Sequence, residues 1–134
     1  MASIDEKTID TVKESMQRCL SKPEFLDRFY DEFMKSPEIR EKFQNTDMAM
    51  QKIVLKSSLH LMLNVAKGNA GEAMNKLAVS HDHSHRNIPR NLYVIWLNAM
   101  IYAVRNTELN FTVELEKSWR EVMQPGIDYM SERY

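Results

Sequence analysis

The sequence predicts an all-α fold, and three observations carry that prediction. Its 134 residues include only three glycines and four prolines, few for the frequent tight turns that a chain of strands requires. Apolar residues recur at helical spacing along nearly the whole length, and no stretch alternates apolar and polar residues with the period of two that marks a half-buried strand. Residues that start or stop helices bound most of these runs.

The elements follow in order. From Ile4 to Leu20, the residues Ile9, Val12, Met16 and Leu20 recur at helical spacing and define a first helix. Pro23 sits where a first helical residue can do without its N–H, and a second helix runs to about Lys35 with Phe25, Leu26, Phe29, Tyr30, Phe33 and Met34 as its apolar stripe. Ser36-Pro37 breaks it and opens a short segment ending at Phe43. Thr46 or Asp47 can cap a long helix through Met48, Leu55, Leu59, Met62 and Ala66. Gly68 and Gly71 end that helix and open a short one, from Glu72 to about Ser80. A polar stretch, His81 to Asn87, leads to Pro89, and from there to Arg105 the pattern is apolar nearly all round. Such a helix is covered on more than one side. The last helix, Thr112 to about Arg133, places Leu115, Trp119, Val122, Met123, Ile127 and Met130 on one face, with Pro125-Gly126 inside it. That pair predicts a kink or a local irregularity. Seven or so helices of unequal length do not make a simple four-helix bundle.

Length, charge and cysteine usage narrow the function classes. The chain fits one domain, residues 1–134. Its net charge of −1, with no basic stripe, argues against a nucleic-acid partner. The longest apolar runs, around Leu59–Leu63 and Val94–Leu97, are far too short to cross a membrane. Cys19 is the sole cysteine, which excludes an intrachain disulfide and a cysteine-rich metal site and suits a reducing compartment. The segment Met1-Ala2-Ser3-Ile4-Asp5-Glu6-Lys7 carries two acids and no apolar core, unlike a secretory signal. The expectation is a cytoplasmic protein. No Ser-His-Asp order, paired-acid constellation or Gly-rich phosphate loop emerges, so neither a hydrolase nor an NTP site is expected.

The chemistry-bearing segment holds His81, His83 and His85. On a strand these alternating residues would bring three imidazoles to one face for zinc or copper. Nothing around them reads as a strand, and residues two apart on a helix do not face each other. A solvated polar loop is the other plain reading. A third follows from the surroundings: Leu77-Ala78-Val79-Ser80-His81, then Ile88-Pro89 and Tyr93. Independently, Phe33, Pro37-Glu38 and Phe43 are separated by four and six residues. The order and spacing of both stretches resemble the globin family, bacterial single-domain globins and some sensor globins included. The resemblance covers nearly the whole chain, from the first helix to Trp119.

What the resemblance implies is a three-over-three globin fold, preferred over the shortened two-over-two variant because the first helix is substantial. It implies non-covalent haem b, with His81 as the iron ligand and His83 as the competitor whose distance to Ile88-Pro89 resembles that of some sensor globins. A haem iron needs a neutral imidazole held in one tautomer by a hydrogen bond from its other ring nitrogen. The Leu77 carbonyl or the Ser80 hydroxyl lies within reach of that N–H. Phe43, Leu55, Leu77, Ile88, Tyr93 and Trp96 could form an apolar slot. His85 and Arg86 could meet a propionate, a charge-assisted contact. On the opposite face the family often places a tyrosine on the second helix and a glutamine or histidine on the long later one. Tyr30 or Phe29 occupies the first place; Gln51, one turn before Leu55, resembles the second, with Lys52 as its rival. A distal histidine is missing, and His60 reads as a surface residue.

The implied function is reversible binding of a diatomic gas (dioxygen, nitric oxide or carbon monoxide) for sensing, storage or detoxification, without enzymatic activity. The alternatives are a nitric oxide dioxygenase or peroxidase-like haem enzyme supplied by a separate reductase, and a haem-less globin-like interaction module. A homodimer and a separate reductase or signalling partner are compatible with the resemblance.

Overall fold

Helix caps and glycine turns divide the chain as its periodicity predicts. The structure, a computed structural model, describes residues 4–134; Met1–Ser3 of the N-terminal segment lie outside the described residues. Among these, seven α-helices follow one another without a strand: α1 Glu6–Leu20, α2 Glu24–Phe33, α3 Pro37–Lys42, α4 Met48–Ala66, α5 Gly71–His81, α6 Arg90–Arg105 and α7 Val113–Glu132. The Asp5 side chain accepts from the Lys7 N–H at the start of α1. Asp47, rather than Thr46, caps α4 by accepting from Ala49 and Met50, and the Thr112 hydroxyl oxygen accepts from the Leu115 N–H at the start of α7. Each side chain satisfies backbone donors that the first helical turn leaves without partners. The turn between α4 and α5 needs left-handed backbone at Gly68 (φ 87°) and Gly71 (φ 70°), which glycine adopts without steric cost.

Two boundaries and the course of one helix differ from the expectation. Helix α2 ends at Phe33 rather than near Lys35, because the Arg40 guanidinium donates to the Met34 and Lys35 carbonyls at 2.9 and 3.1 Å in place of a further helical turn. Helix α5 includes His81 as its last residue, so this histidine belongs to a helix end and not to the polar loop. Helix α7 runs unbroken through Pro125. Packing holds it there: a Cβ at Gly126 would lie 2.9 Å from the Met62 Cγ of α4.

The helices form two layers, α1, α4 and α5 over α2, α6 and α7, in the three-over-three arrangement of the globin fold. Within the layers α2 packs on α6, α6 on α7 and α4 on α5, while α7 crosses under α1, α4 and α5. The buried apolar side chains make one cluster, with Trp119, Phe25, Phe29 and Met16 among its largest fully buried members. Among the described residues no helix is long and apolar enough to cross a membrane.

One polar network crosses the far end of this core. The Trp119 indole N–H donates to the buried Ser15 hydroxyl at 3.0 Å. That hydroxyl donates to Glu108 Oε2 at 2.7 Å, and the Arg18 guanidinium donates to both Glu108 oxygens. The Arg18 bond, aided by Ser15, holds the Glu108 carboxyl below the ordinary carboxylate range against the opposing effect of burial. A depressed folded-state value stabilises the fold above the unfolded carboxylate value and loses that contribution as pH falls. Glu108→Gln is therefore expected to lower the unfolding free energy by about 1–2 kcal/mol at neutral pH, since Arg18 is half-exposed and its pair is partly screened. Urea unfolding at neutral pH and below the carboxylate range checks this; the variant and the parent should converge in acid.

Candidate cofactor cavity

Between the two layers the side chains leave a cavity of about 580 Å³, within the range of small-molecule and cofactor sites. His81 lines it from the end of α5, where its Nδ1 lies 2.8 Å from the Leu77 carbonyl and 2.9 Å from the Ser80 hydroxyl oxygen. A carbonyl only accepts, so the proton of the neutral ring sits on Nδ1 and Nε2 keeps its lone pair. The Ser80 hydroxyl spends its own hydrogen on the Leu77 carbonyl at 2.7 Å, which leaves its oxygen as a second acceptor for His81. Burial pushes the His81 pKa below the ordinary histidine value, the Leu77 bond opposing and the Arg86 charge reinforcing that shift. The ring is thus neutral near pH 7, as a metal ligand must be.

Aromatic and aliphatic side chains supply the walls. Phe29, Tyr30 and Phe43 line the cavity together with Leu55, Leu77, Ile88, Tyr93 and Trp96. Phe29 meets Tyr30 edge-on with ring centroids 4.8 Å apart, and Tyr30 meets Phe43 edge-on at 6.1 Å. Gln51 lines the cavity as well, and its backbone carbonyl lies 3.5 Å from the Tyr30 hydroxyl. Burial pushes the Tyr30 hydroxyl up to about 12, that bond opposing, so it keeps its proton and remains a donor. Both Phe29 and Tyr30 face the cavity, whereas Lys52 pairs with Asp27 on the outer side of α4.

The other histidines are elsewhere. His85 Nδ1 lies 2.7 Å from Asp82 Oδ1 within the exposed α5–α6 corner, and the ring does not line the cavity. The expected contact of His85 with an anionic ligand group is corrected accordingly: its side-chain partner is local. Its place at the rim is taken by Lys42, which the sequence reading missed. Lys42 lines the cavity with Arg86 and donates to the Arg86 carbonyl at 3.2 Å. The residue stands directly before Phe43, the one local signal that could have found it. His83 is exposed, with Nδ1 against the Tyr134 carbonyl, and His60 is exposed with its ring on the Lys56 carbonyl. Among the described residues no group of three or more His, Cys, Asp or Glu could hold a metal ion, so the three-imidazole zinc or copper arrangement does not form.

Tyr93, expected as part of the apolar slot, also brings a polar group there that no pattern in the sequence disclosed. Its hydroxyl is buried without a hydrogen-bond partner, its ring lies 6.5 Å from the His81 ring, and burial alone raises its pKa. A neutral nitrogen lone pair and a stranded hydroxyl donor in a largely aromatic and aliphatic cavity suit a flat apolar ligand that carries a metal, and Lys42 and Arg86, which line it beside Glu38 and Glu41, are the cations available to anionic substituents.

No protein-family model matches the chain, and no curated protein matches it significantly. Among solved structures, a protein from Pseudomonas aeruginosa PAO1, described as structurally highly homologous to a human hemoglobin, aligns with a TM-score of 0.91. The two are 34% identical over 95% of this chain and 98% of that one. The chain belongs to the globin family.

Two outcomes follow from the buried polar groups of the cavity. Without a ligand, Tyr93→Phe removes a hydroxyl that burial leaves unsatisfied, so it should raise the unfolding free energy by about 1 kcal/mol in urea titrations. His81 has a folded-state value below its unfolded one, so the unfolded chain binds more protons and stability is lost as pH falls through the histidine range. His81→Gln should flatten the loss of stability between about pH 7 and about pH 5, measured on the ligand-free chain.

Proposed function

We propose that this globin binds one haem b per chain through His81 and holds a diatomic gas on it reversibly, in storage, sensing or detoxification, without being an enzyme. The observation that carries the reading is His81 itself: half-buried, neutral, and fixed by the Leu77 carbonyl so that Nε2 is the free nitrogen. That is the state in which an imidazole ligates haem iron. The rest of the cavity fits the group. Phe43 and Leu77 are among the apolar residues that would hold a planar macrocycle, and Lys42 and Arg86 would meet its carboxylates. Tyr93 offers a donor that nothing among the described residues satisfies. Likeness to a protein described as homologous to a hemoglobin supports the same reading.

Haem b, once bound, supplies an iron that takes dioxygen, nitric oxide or carbon monoxide reversibly. What the chain contributes is orientation, exclusion of water and one proton donor. The aromatic wall of Phe29, Phe33 and Phe43 keeps the cavity apolar. Tyr30 retains its proton under all physiological conditions and can donate to dioxygen, which gathers partial negative charge, more strongly than to carbon monoxide. A buried lone cysteine, Cys19, suits the cytoplasm as the site of action.

Titration with haem, followed by absorption, tests the reading. One equivalent should produce a Soret band; His81→Ala should remove the histidine-ligated spectrum while His83→Ala preserves it. No band in the parent overturns haem binding, and the opposite ranking of the two variants moves the ligand to His83. Tyr30→Phe should raise the dioxygen release rate about tenfold, the loss of one hydrogen bond of about 1.4 kcal/mol, with a smaller change for carbon monoxide. Gln51→Ala should show a weaker effect, because the Tyr30 hydroxyl contacts the Gln51 backbone rather than its side chain.

A further inference from the structure

Tyr30 is a wall between two spaces. It lines the central cavity, and with Asp27, Met34, Met48 and Lys52 it also lines a surface groove between α2 and α4. Among the described residues no other side chain borders both. The buried Tyr30 ring packs against Phe29, Phe33 and Phe43, but its one polar contact is long, the hydroxyl lying 3.5 Å from the Gln51 carbonyl. The seam itself is weakly packed. Helix α2 rests on α1 and α6, whereas α4 rests on α1, α5 and α7. Besides the long Tyr30–Gln51 contact, the ion pair of Lys52 with Asp27 spans the seam, its side chains 36% and 55% exposed. The opposite rim of the cavity is braced differently, by the Lys42 hydrogen bond to the Arg86 backbone.

We propose that the α2–α4 seam is the access route by which small uncharged gases reach the cavity, with Tyr30 as its door and the Lys52–Asp27 ion pair as its latch. The inference rests on the haem reading and adds control of the same site. The latch is of a strength that allows regular opening, because an exposed pair of this kind shifts an equilibrium by up to about fivefold. Ionic strength then becomes a lever, since salt screens exposed charges. A neutral gas is not steered through solvent by charge, so a salt-dependent arrival rate reports a charged gate along its path.

Recombination of carbon monoxide after flash photolysis of the haem-loaded full chain tests this. The parent rate should rise about two- to fivefold from low to high salt, the ceiling set by an exposed pair. Lys52→Met and Asp27→Asn should be fast at low salt already and insensitive to further salt. The charge exchange Asp27→Lys with Lys52→Asp should restore the slow, salt-dependent behaviour. Hydrogen exchange over residues 48–55 of the haem-free full chain supplies a readout independent of the cofactor, with faster exchange expected in Lys52→Met than in the parent. A parent rate that ignores salt, or variants indistinguishable from it in recombination or exchange, overturns the latch. A chain that takes up no haem lacks its absorption band and defeats the haem reading separately, while the exchange comparison still decides whether the ion pair holds the seam.

Discussion

The architecture depends on how closely α4 and α7 can cross. Gly126 presents no side chain at the crossing, and the Met62 side chain fills the space that a Cβ would need. An added methyl there would force a packed side chain to move, and tightly packed interiors resist such changes. With α4 seated on α7, and α1 and α5 laid beside it on the same helix, the spacing between the layers is set. Met62 and Met130, one from each layer, then line the cavity. The same crossing accounts for the continuity of α7 across Pro125: packing from the opposite layer holds a segment whose own backbone lacks one helical hydrogen bond.

Inside that frame the cavity concentrates polar groups that a mere core would avoid. A half-buried imidazole and two buried tyrosine hydroxyls, one of them without a partner, carry a cost in the ligand-free protein. The cost is local to one place, whereas the polar network at the other end of the core is satisfied throughout, from the Trp119 indole to Ser15, Glu108 and Arg18. That contrast separates a structural polar cluster from a functional one more clearly than burial does. It also separates the two tyrosines. Tyr30 has a weak partner and borders two spaces, which suits a movable group; Tyr93 has none, which suits a contact completed by a ligand.

Much of this was legible along the chain. Helical periodicity and caps are local properties, so the seven helices and most of their limits could be read from apolar spacing, Asp47, Thr112 and the Gly68–Gly71 turn. The spacing from Leu77 to His81 is one helical turn, and one turn is enough to bring a ring nitrogen to a carbonyl four residues back. The errors have a common physical origin, in partners that lie across space. Arg40 ends α2 from α3. His85 turns to Asp82 instead of the cavity, while Lys42, with no pattern to announce it, takes the rim beside Arg86.

The sequence by itself determined the helices, the turn that orients His81, and the aromatic content of the second helix and the Phe43 segment. Those outcomes need only neighbours within a turn or two. Tertiary structure alone decided that both Phe29 and Tyr30 face the cavity, that Gln51 rather than Lys52 lines it, and that the Tyr93 hydroxyl is stranded beside His81. Each of these depends on the angle at which one helix meets another, and that angle is set by side-chain volumes on distant segments, which no local period records.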